Sequence, residues 1–385
     1  MLIKLDNTTE YILSVLEKAG FSAYIVGGLL RDLLLGNPTH DIDIATNALP
    51  GQVKELFAEY PVIDTGIKHG TVTLLIEHIP YEITTFRTEG IYSDNRRPDT
   101  VSFTDSIEQD LKRRDFTINA LAYNNTSGLV DLFGGLDDLN NRVLRAVGEP
   151  KNRFSEDSLR IIRALRFSSV LDLEIEPQTK SAMFGCSHLL RNIAVERIFN
   201  ELINILGGVR FDRVLRELFP IFSLIMPEIV LPSKDVTPLN NPFFILSALF
   251  KDEYDARRAL HRLKADNDTV KRVTMLISSM AIPDEVVQIK LLLSRIGTAV
   301  LDIALFRELF YEEKGTYERV RNVLESGECY SLGQLALNGA DIVSLGFSGA
   351  EVGEVLKKLL DMVISGNIEN KKEALVNAVK SIDKN

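Results

Sequence analysis

Two hydrophobic periods alternate through the first hundred residues. After Asn7-Thr8-Thr9-Glu10, a composition suited to a helix start, apolar Tyr11, Ile12, Val15 and Leu16 recur at helical spacing until Gly20. Ala23-Tyr24-Ile25-Val26 then reads as a strand and 29–35 as a short helix. Ile42 and Ile44 alternate with Asp41 and Asp43, which is the period of a second strand. Pro50 opens a predicted helix over 49–59. Two strands follow, over 71–77 and 81–86, joined by a turn at His78-Ile79-Pro80. A longer helix is expected over 106–123, and Leu129 to Gly135 closes this part as a last strand and turn. Beyond Leu136 the strand period disappears. Ser155 is the expected N-cap of a helix over 156–167, and 352–364 is amphipathic at helical period. Helices segregated around a small sheet, then helices alone, predict an α+β head followed by an all-α remainder.

The acidic strand carries the first candidate chemistry. Residues i and i+2 of a strand share a face, so Asp41 and Asp43 point the same way. Two carboxylates on one face repel unless a cation sits between them, and Mg²⁺ takes few carboxylates together with substrate phosphates. A lone pair of this kind is more often a solvated edge. Here it follows Gly27-Gly28, a turn whose backbone amides can approach a phosphate, and Arg31, whose donors can hold phosphate oxygens. Glu82, flanked by apolar Tyr81 and Ile83, is costly to bury alone and could be a third metal-site carboxylate or an outward-facing strand residue.

Further on, 87–98 is polar, mixed in charge and interrupted by Gly and Pro, a surface or active-site loop. Arg113 and Arg114 run into an apolar face, which alone suggests a solvated helix; beside a metal site the same arginines would neutralise a triphosphate. Asp157 and Arg160 are spaced i, i+3, with Arg163 one turn on and Arg166 further round the helix. Side by side, a carboxylate that only accepts and a guanidinium that only donates could offer a nucleobase a hydrogen-bonding edge; an ion-paired surface helix is the plainer account. Arg257, Arg258, Arg262 and Lys264 form a basic cluster that could meet nucleic-acid phosphates or water.

Composition narrows the class. The 385 residues allow two or three units with real cores, and 45% hydrophobic with 25% charged content is ordinary for a globular protein. A net charge of -10 argues against indiscriminate coating of nucleic acid while leaving room for local basic patches. Two cysteines make neither a disulfide framework nor a zinc site, and with no signal-like start and no long apolar run a cytoplasmic protein is expected.

Five motifs in order resemble a known family: Gly27-Gly28-x-x-Arg31-Asp32, Asp41-x-Asp43, the loop from Arg87-Thr88-Glu89-Gly90 to Arg97-Pro98, Arg113-Arg114-Asp115-Phe116-Thr117-Ile118-Asn119-Ala120, and Glu156-Asp157-x-x-Arg160. The sequence is similar to the class II tRNA nucleotidyltransferases, the CCA-adding enzymes, of the shorter bacterial type. That resemblance implies a polymerase-β-like nucleotidyltransferase head over 1–141, a base-recognising neck over 142–205, a helical body over 206–295 and a tRNA-binding tail over 296–385. It implies Asp41 and Asp43 as Mg²⁺ ligands with Glu82 as third carboxylate. Gly28, Arg31 and Arg114 would hold the incoming nucleotide, Asp157 and Arg160 would read its base, and Arg163 and Arg166 would complete the pocket. The implied reaction adds CCA to the tRNA 3′ end from CTP and ATP without a template, by two-metal nucleotidyl transfer that releases pyrophosphate. No protein partner or membrane is implied. An A-adding enzyme of a split CC/A pair is the first alternative. A poly(A) polymerase fits less well because the tail is not strongly basic, and CC-only addition is disfavoured by the long loop after Glu82. A non-catalytic RNA-binding module is disfavoured by the intact acids.

Overall fold

A computed structural model describes residues 3–38, 42–90, 100–278 and 281–381. The chain divides into two compact units, one of residues 1–231 with 259–265, the other of 232–258 with 266–385.

The first unit opens with α1 (Asn7–Lys18), capped by the Asp6 carboxylate on the Thr9 N–H, and its Ile12, Leu13 and Leu16 are buried. Strand β1 (Ala23–Val26) runs straight into α2 (Gly27–Leu35), then come β2 (Ile42–Thr46) and α3 (Pro50–Leu56). Strands β3 (Val62–Gly66), β4 (Thr71–Ile76) and β5 (Ile79–Thr85) follow, and the β4–β5 turn narrows to Glu77 and His78, both with positive φ. The base of the polar loop is itself a hairpin, β6 (Arg87–Glu89) antiparallel to β7 (Val101–Phe103); residues 91–99 of that loop lie outside the described residues. Then come α4 (Ile107–Lys112), β8 (Leu121–Asn124), β9 (Gly128–Asp131) and α5 (Gly135–Asn140).

Among the described residues one seven-stranded sheet has the order β3-β4-β5-β2-β1-β8-β9. Strands β2 and β5 are parallel and the other neighbours antiparallel, so the sheet is mixed. Its register places Asp43 directly beside Glu82. Alternation buries both faces. Ile25, Ile44 and Ile83 pack with Ile12, Leu16 and Phe57 on one side, and Tyr24, Val26 and Ala45 pack with Phe86, Leu111 and Val147 on the other. Asp43 shares the second face with Ala45 by strand period.

The expected single helix over 106–123 is not present. Helix α4 ends at Lys112, a 3₁₀ turn spans Thr117–Asn119, and β8 begins at Leu121. The Asp115 side chain explains the break: its Oδ1 accepts from the Phe116 N–H (2.8 Å) and from Asn119 Nδ2 (2.9 Å), a local competition that pulls the chain out of a helical ladder. Gly135 lets α5 close on this turn, since a Cβ there would stand 2.2 Å from the Thr117 carbonyl oxygen.

After β10 (Val143–Leu144), helices α6 (Pro150–Glu156) and α7 (Leu159–Leu171) replace the expected helix over 156–167. Ser155 lies inside α6 and is not an N-cap; the caps flanking the break are Asp157, with extended φ −132° and ψ 102°, and Ser158. Strand β11 (Glu174–Ile175) pairs with β10, and α8 (Pro177–Cys186), α9 (Val195–Leu206), α10 (Phe211–Glu217) and α11 (Phe219–Ile225) complete the unit.

The second unit is helical. It holds α12 (Pro242–Ala248), most of α13 (Glu253–Arg262), α14 (Asn267–Ile277), α15 (Val286–Ile296), α16 (Ala299–Tyr311) and α17 (Thr316–Glu325). Toward its end, α18 (Gly339–Ser344), α19 (Ala350–Ile364) and α20 (Lys372–Lys380) surround a core of Leu337, Ile342, Leu359, Leu360 and Leu375. Among the described residues no helix is long and apolar enough to cross a membrane.

Candidate functional site

A cleft of about 500 Å³ opens within the first unit, and most of the expected residues line it: Gly28, Arg31, Asp43, Arg114, Asp157, Arg160, Arg163 and Arg166. Gly27, Arg113, Asp115, Asn119 and Phe167 complete its wall. Six arginines face three aspartates, a local excess of positive charge in a chain that is negative overall. Asp43 also borders a smaller cavity of about 260 Å³ together with Glu82, Thr84, Arg87, Asp110 and Arg113. Asp41 lies outside the described residues.

The β1–α2 junction sets the floor. Gly27 has φ +66°, and a Cβ there would stand 3.0 Å from Arg114 Nη1 and 3.7 Å from Asp43 Oδ2. Glycine therefore serves both the turn and the close approach of a guanidinium and a carboxylate. Arg31 is 8% exposed. Its Nε and Nη2 donate to Asp32 (2.9 and 2.8 Å) and its Nη1 donates to Asn119 Oδ1 (2.8 Å).

Asn119 is a relay that motif reading did not single out. It receives Arg31, and it donates to Asp115, whose Oδ2 accepts from Arg163 Nε (2.8 Å) and lies 2.7 Å from Arg163 Nη2. Burial pushes the Asp115 carboxyl up, but Arg163, the Asn119 amide and Arg160 outweigh it and hold the group well below the usual carboxylate range. Reciprocally, Asp115 raises Arg163. The available signal was the i, i+4 spacing of Asp115 and Asn119 inside the fourth motif.

The α6–α7 break places the remaining groups. Asp157 Oδ1 accepts from the Leu159 N–H (3.0 Å), Arg197 Nη2 stands 4.0 Å from its Oδ2, and burial raises its pKa despite them. Arg160, 7% exposed, donates to Glu156 (2.8 Å) and to the carbonyls of Arg153 (3.2 Å) and Arg113 (3.0 Å). Asp157 thus stands at the break between α6 and α7 and Arg160 in the first turn of α7, still joined i, i+3 by the Arg160 N–H donating to the Asp157 carbonyl (3.0 Å). Arg166 faces Glu201 of α9 (3.1 Å), and burial lowers its pKa. The guanidinium carbons of Arg31, Arg163 and Arg166 lie 5.1, 5.2 and 4.7 Å from the centroid of the buried Phe167 ring, which holds three like charges near one apolar surface.

Among the described residues no three His, Cys, Asp or Glu side chains gather as a metal cluster. The register pair Asp43 and Glu82 nevertheless supplies hard oxygen donors on one sheet face beside one cavity, a donor set that suits a hard divalent cation.

The basic cluster is not part of the cleft wall. Arg257 and Arg258 are exposed, Arg258 3.7 Å from Asp255. Arg262 donates to Glu228 (2.6 Å) and the Ile225 carbonyl (2.8 Å), and Lys264 donates to Glu196 (2.6 Å).

Comparison with known proteins fits this geometry. A family model for the poly A polymerase head domain matches residues 23–145, one for an RNA and SrmB-binding site of polymerase A matches 172–229, and one for domain 2 of tRNA nucleotidyltransferases matches 242–379. The head and its arginine-lined cleft thus define a nucleotidyltransferase of the polymerase A class. Along its length the chain is 39% identical to the CCA-adding enzyme of Ligilactobacillus salivarius, covering 96% of this chain and 95% of that one. It is 36% identical to that of Enterococcus faecalis, covering 96% and 94%. The crystal structure of the Bacillus stearothermophilus CCA-adding enzyme in complex with CTP superposes with a TM-score of 0.78 at 33% identity, covering 97% of this chain and 96% of that one. The chain belongs to the family of CCA-adding enzymes. Membership carries divalent-metal chemistry with it.

Proposed function

We propose that this protein adds CCA to the 3′ end of tRNA without a template, taking CTP and ATP, releasing pyrophosphate and working in the cytoplasm. The observation that carries the reading is a cleft lined by six arginines together with Asp43, Asp115 and Asp157. The head over 1–141 does the chemistry, the neck over 142–205 reads the base, and the body (206–295) and tail (296–385) engage tRNA. Arg257, Arg258, Arg262 and Lys264 are the proposed tRNA contacts, the last two after exchanging their acid partners for phosphates.

Asp43 and Glu82, with Asp41 by strand spacing, would hold Mg²⁺. When bound, the metal supplies activation of the attacking hydroxyl and neutralisation of the leaving pyrophosphate. The Gly28 region, Arg31 and Arg114 take the triphosphate oxygens, with fixed donors that need no reorganisation during transfer. The tRNA 3′-oxygen bonds to the α-phosphorus as the bond to pyrophosphate breaks, and positioning does most of the work. Asp157 accepts from the exocyclic amine that cytosine and adenine share, and Arg160 donates to a ring acceptor. Uracil and guanine would set a carbonyl against the Asp157 carboxylate. Arg163 and Arg166, steadied by Phe167, complete the pocket.

The deciding experiment incubates the protein with a tRNA lacking its 3′ CCA and reads product length. Two added residues with CTP alone and three with CTP plus ATP support the reading. Addition only of A, and only to a tRNA already ending in CC, establishes the split-pair alternative. No extension under any condition refutes catalysis.

A further inference from the structure

Asp110 is 1% exposed, and the reaction as described has no use for it. A buried carboxylate is costly, so its partners show what offsets the cost. Its Oδ1 accepts from Arg113 Nε at 2.9 Å, with Arg113 Nη2 at 2.8 Å, and its Oδ2 accepts from Arg114 Nη2 at 3.1 Å. The same Oδ1 accepts the Arg87 backbone N–H at 3.3 Å, at the first residue of the β6–β7 hairpin. One carboxylate therefore fastens two adjacent guanidiniums and the base of the hairpin. Burial alone would raise its pKa, yet Arg114 and Arg113 hold it below the ordinary value. Arg114 reaches from this anchor to the Gly27 turn, where its Nη1 passes close to the glycine and donates to the Asn119 carbonyl (3.5 Å).

We infer that Asp110 is a positioning residue for triphosphate binding: it holds Arg113 and Arg114 in a fixed fork, so that the cleft meets the phosphates with donors already ordered. This rests on the proposed nucleotide site and assigns that site a residue which touches no substrate. The phosphates are common to CTP and ATP, so Asp110 acts on both alike and leaves base choice to Asp157 and Arg160.

Two effects of removing the charge oppose one another. Asp110→Asn keeps the side-chain shape and takes away one negative charge, so Coulomb attraction alone would make the variant bind phosphate more tightly. Freeing two long side chains costs ordering on binding, which weakens it. Positioning predicts that the second effect wins.

The test is titration of inorganic triphosphate into wild type and Asp110→Asn by calorimetry, with CTP and ATP kinetics alongside. The expected result is about tenfold weaker triphosphate affinity, KM for CTP and for ATP raised by the same factor, and an unchanged CTP-to-ATP ratio of kcat/KM. Asp110→Glu, which restores the charge, recovers part of the affinity. Unchanged or tighter triphosphate binding in Asp110→Asn overturns the inference, as does a changed CTP-to-ATP ratio. If Asp110→Asn lowers tRNA affinity as strongly as triphosphate affinity, the residue is merely structural and the inference falls. The triphosphate titration stands apart from tRNA extension, so failure of the wild type to extend tRNA would strike the functional reading alone.

Discussion

Helices α7 and α13 each carry three arginines, Arg160, Arg163 and Arg166 on one, Arg257, Arg258 and Arg262 on the other. Their surroundings differ. On α7 the arginines are drawn into the cleft, and distant elements supply acids for two of them, Asp115 from the turn after α4 and Glu201 from α9. On α13, Arg257 and Arg258 stay exposed, Arg258 faces an acid of its own helix, and Arg262 reaches a distant acid, Glu228. A charge that folding takes out of water needs an offset, and the α7 arginines have several. The difference teaches that a run of cations becomes a site when the fold gathers several carboxylates from elsewhere in the chain around a helix that carries its own apolar ring, here Phe167.

The largest predicted effect tests the acidic end of the α7 cleft. Asp43→Asn should cut the rate of nucleotide addition at least about a thousandfold while CTP affinity changes only a few-fold. Rapid-quench kinetics with a tRNA ending before CCA would check it, and near-wild-type turnover would remove Asp43 from the chemistry.

Next in size is a direct contrast of the two helices. Arg163→Ala leaves Asp115 buried without its main partner and should cost about 3 kcal/mol of stability, whereas Arg257→Ala should stay within about 0.5 kcal/mol. Urea unfolding of both variants measures this, and equal costs would erase the distinction. The pair also sets a pH dependence. The folded Asp115 carboxyl lies below its unfolded value, so its contribution is fully present above about pH 4. That contribution is lost as pH falls from there toward the folded value. Asp115→Asn should therefore show a flatter loss of stability on the acid side than wild type.

A smaller effect is expected at base reading. Arg160→Ala should lower discrimination of CTP and ATP against UTP and GTP by about tenfold, measured by misincorporation with each nucleotide alone. Unchanged selectivity would assign base choice to other groups. Smallest is the effect on α13: charge reversal at Arg257 and Arg258 should weaken tRNA binding a few-fold and reduce the salt slope by about 0.7–0.9 for each phosphate no longer neutralised. An unaltered slope would place the tRNA-binding surface elsewhere.

Much of the site was legible because it rests on short-range rules. Strand period alone aligned Asp43 with the sheet, and the isolated acid of Tyr81-Glu82-Ile83 does lie in register beside it. What stayed hidden depends on side chains that compete with the backbone. The apolar residues from Phe116 to Leu121 suggested one continuous helix, yet Asp115 spends an oxygen on the Phe116 N–H and the chain leaves the helix there. Likewise Ser155 looked like a cap, while Asp157 makes the bend by accepting from Leu159. Asp110 stands i, i+3 and i, i+4 to Arg113 and Arg114, and Asn119 i, i+4 to Asp115, so part of this was open to reading; what no spacing reveals is the reach of Asp110 to Arg87 and of Asn119 and Phe167 to Arg31. Residues 106–123 thus held the least predictable backbone and the acids that order the cleft.

The proposed catalytic arrangement puts phosphates on Arg31 and Arg114, the base against Asp157 and Arg160, and metal at Asp43 and Glu82. Diffraction from crystals soaked with CTP and Mg²⁺ tests it most directly. The predicted result is triphosphate oxygens about 3 Å from both guanidiniums with the cytosine edge hydrogen-bonded to Asp157 and Arg160. A nucleotide ordered elsewhere, or one in this cleft with its base turned from that pair, would contradict it.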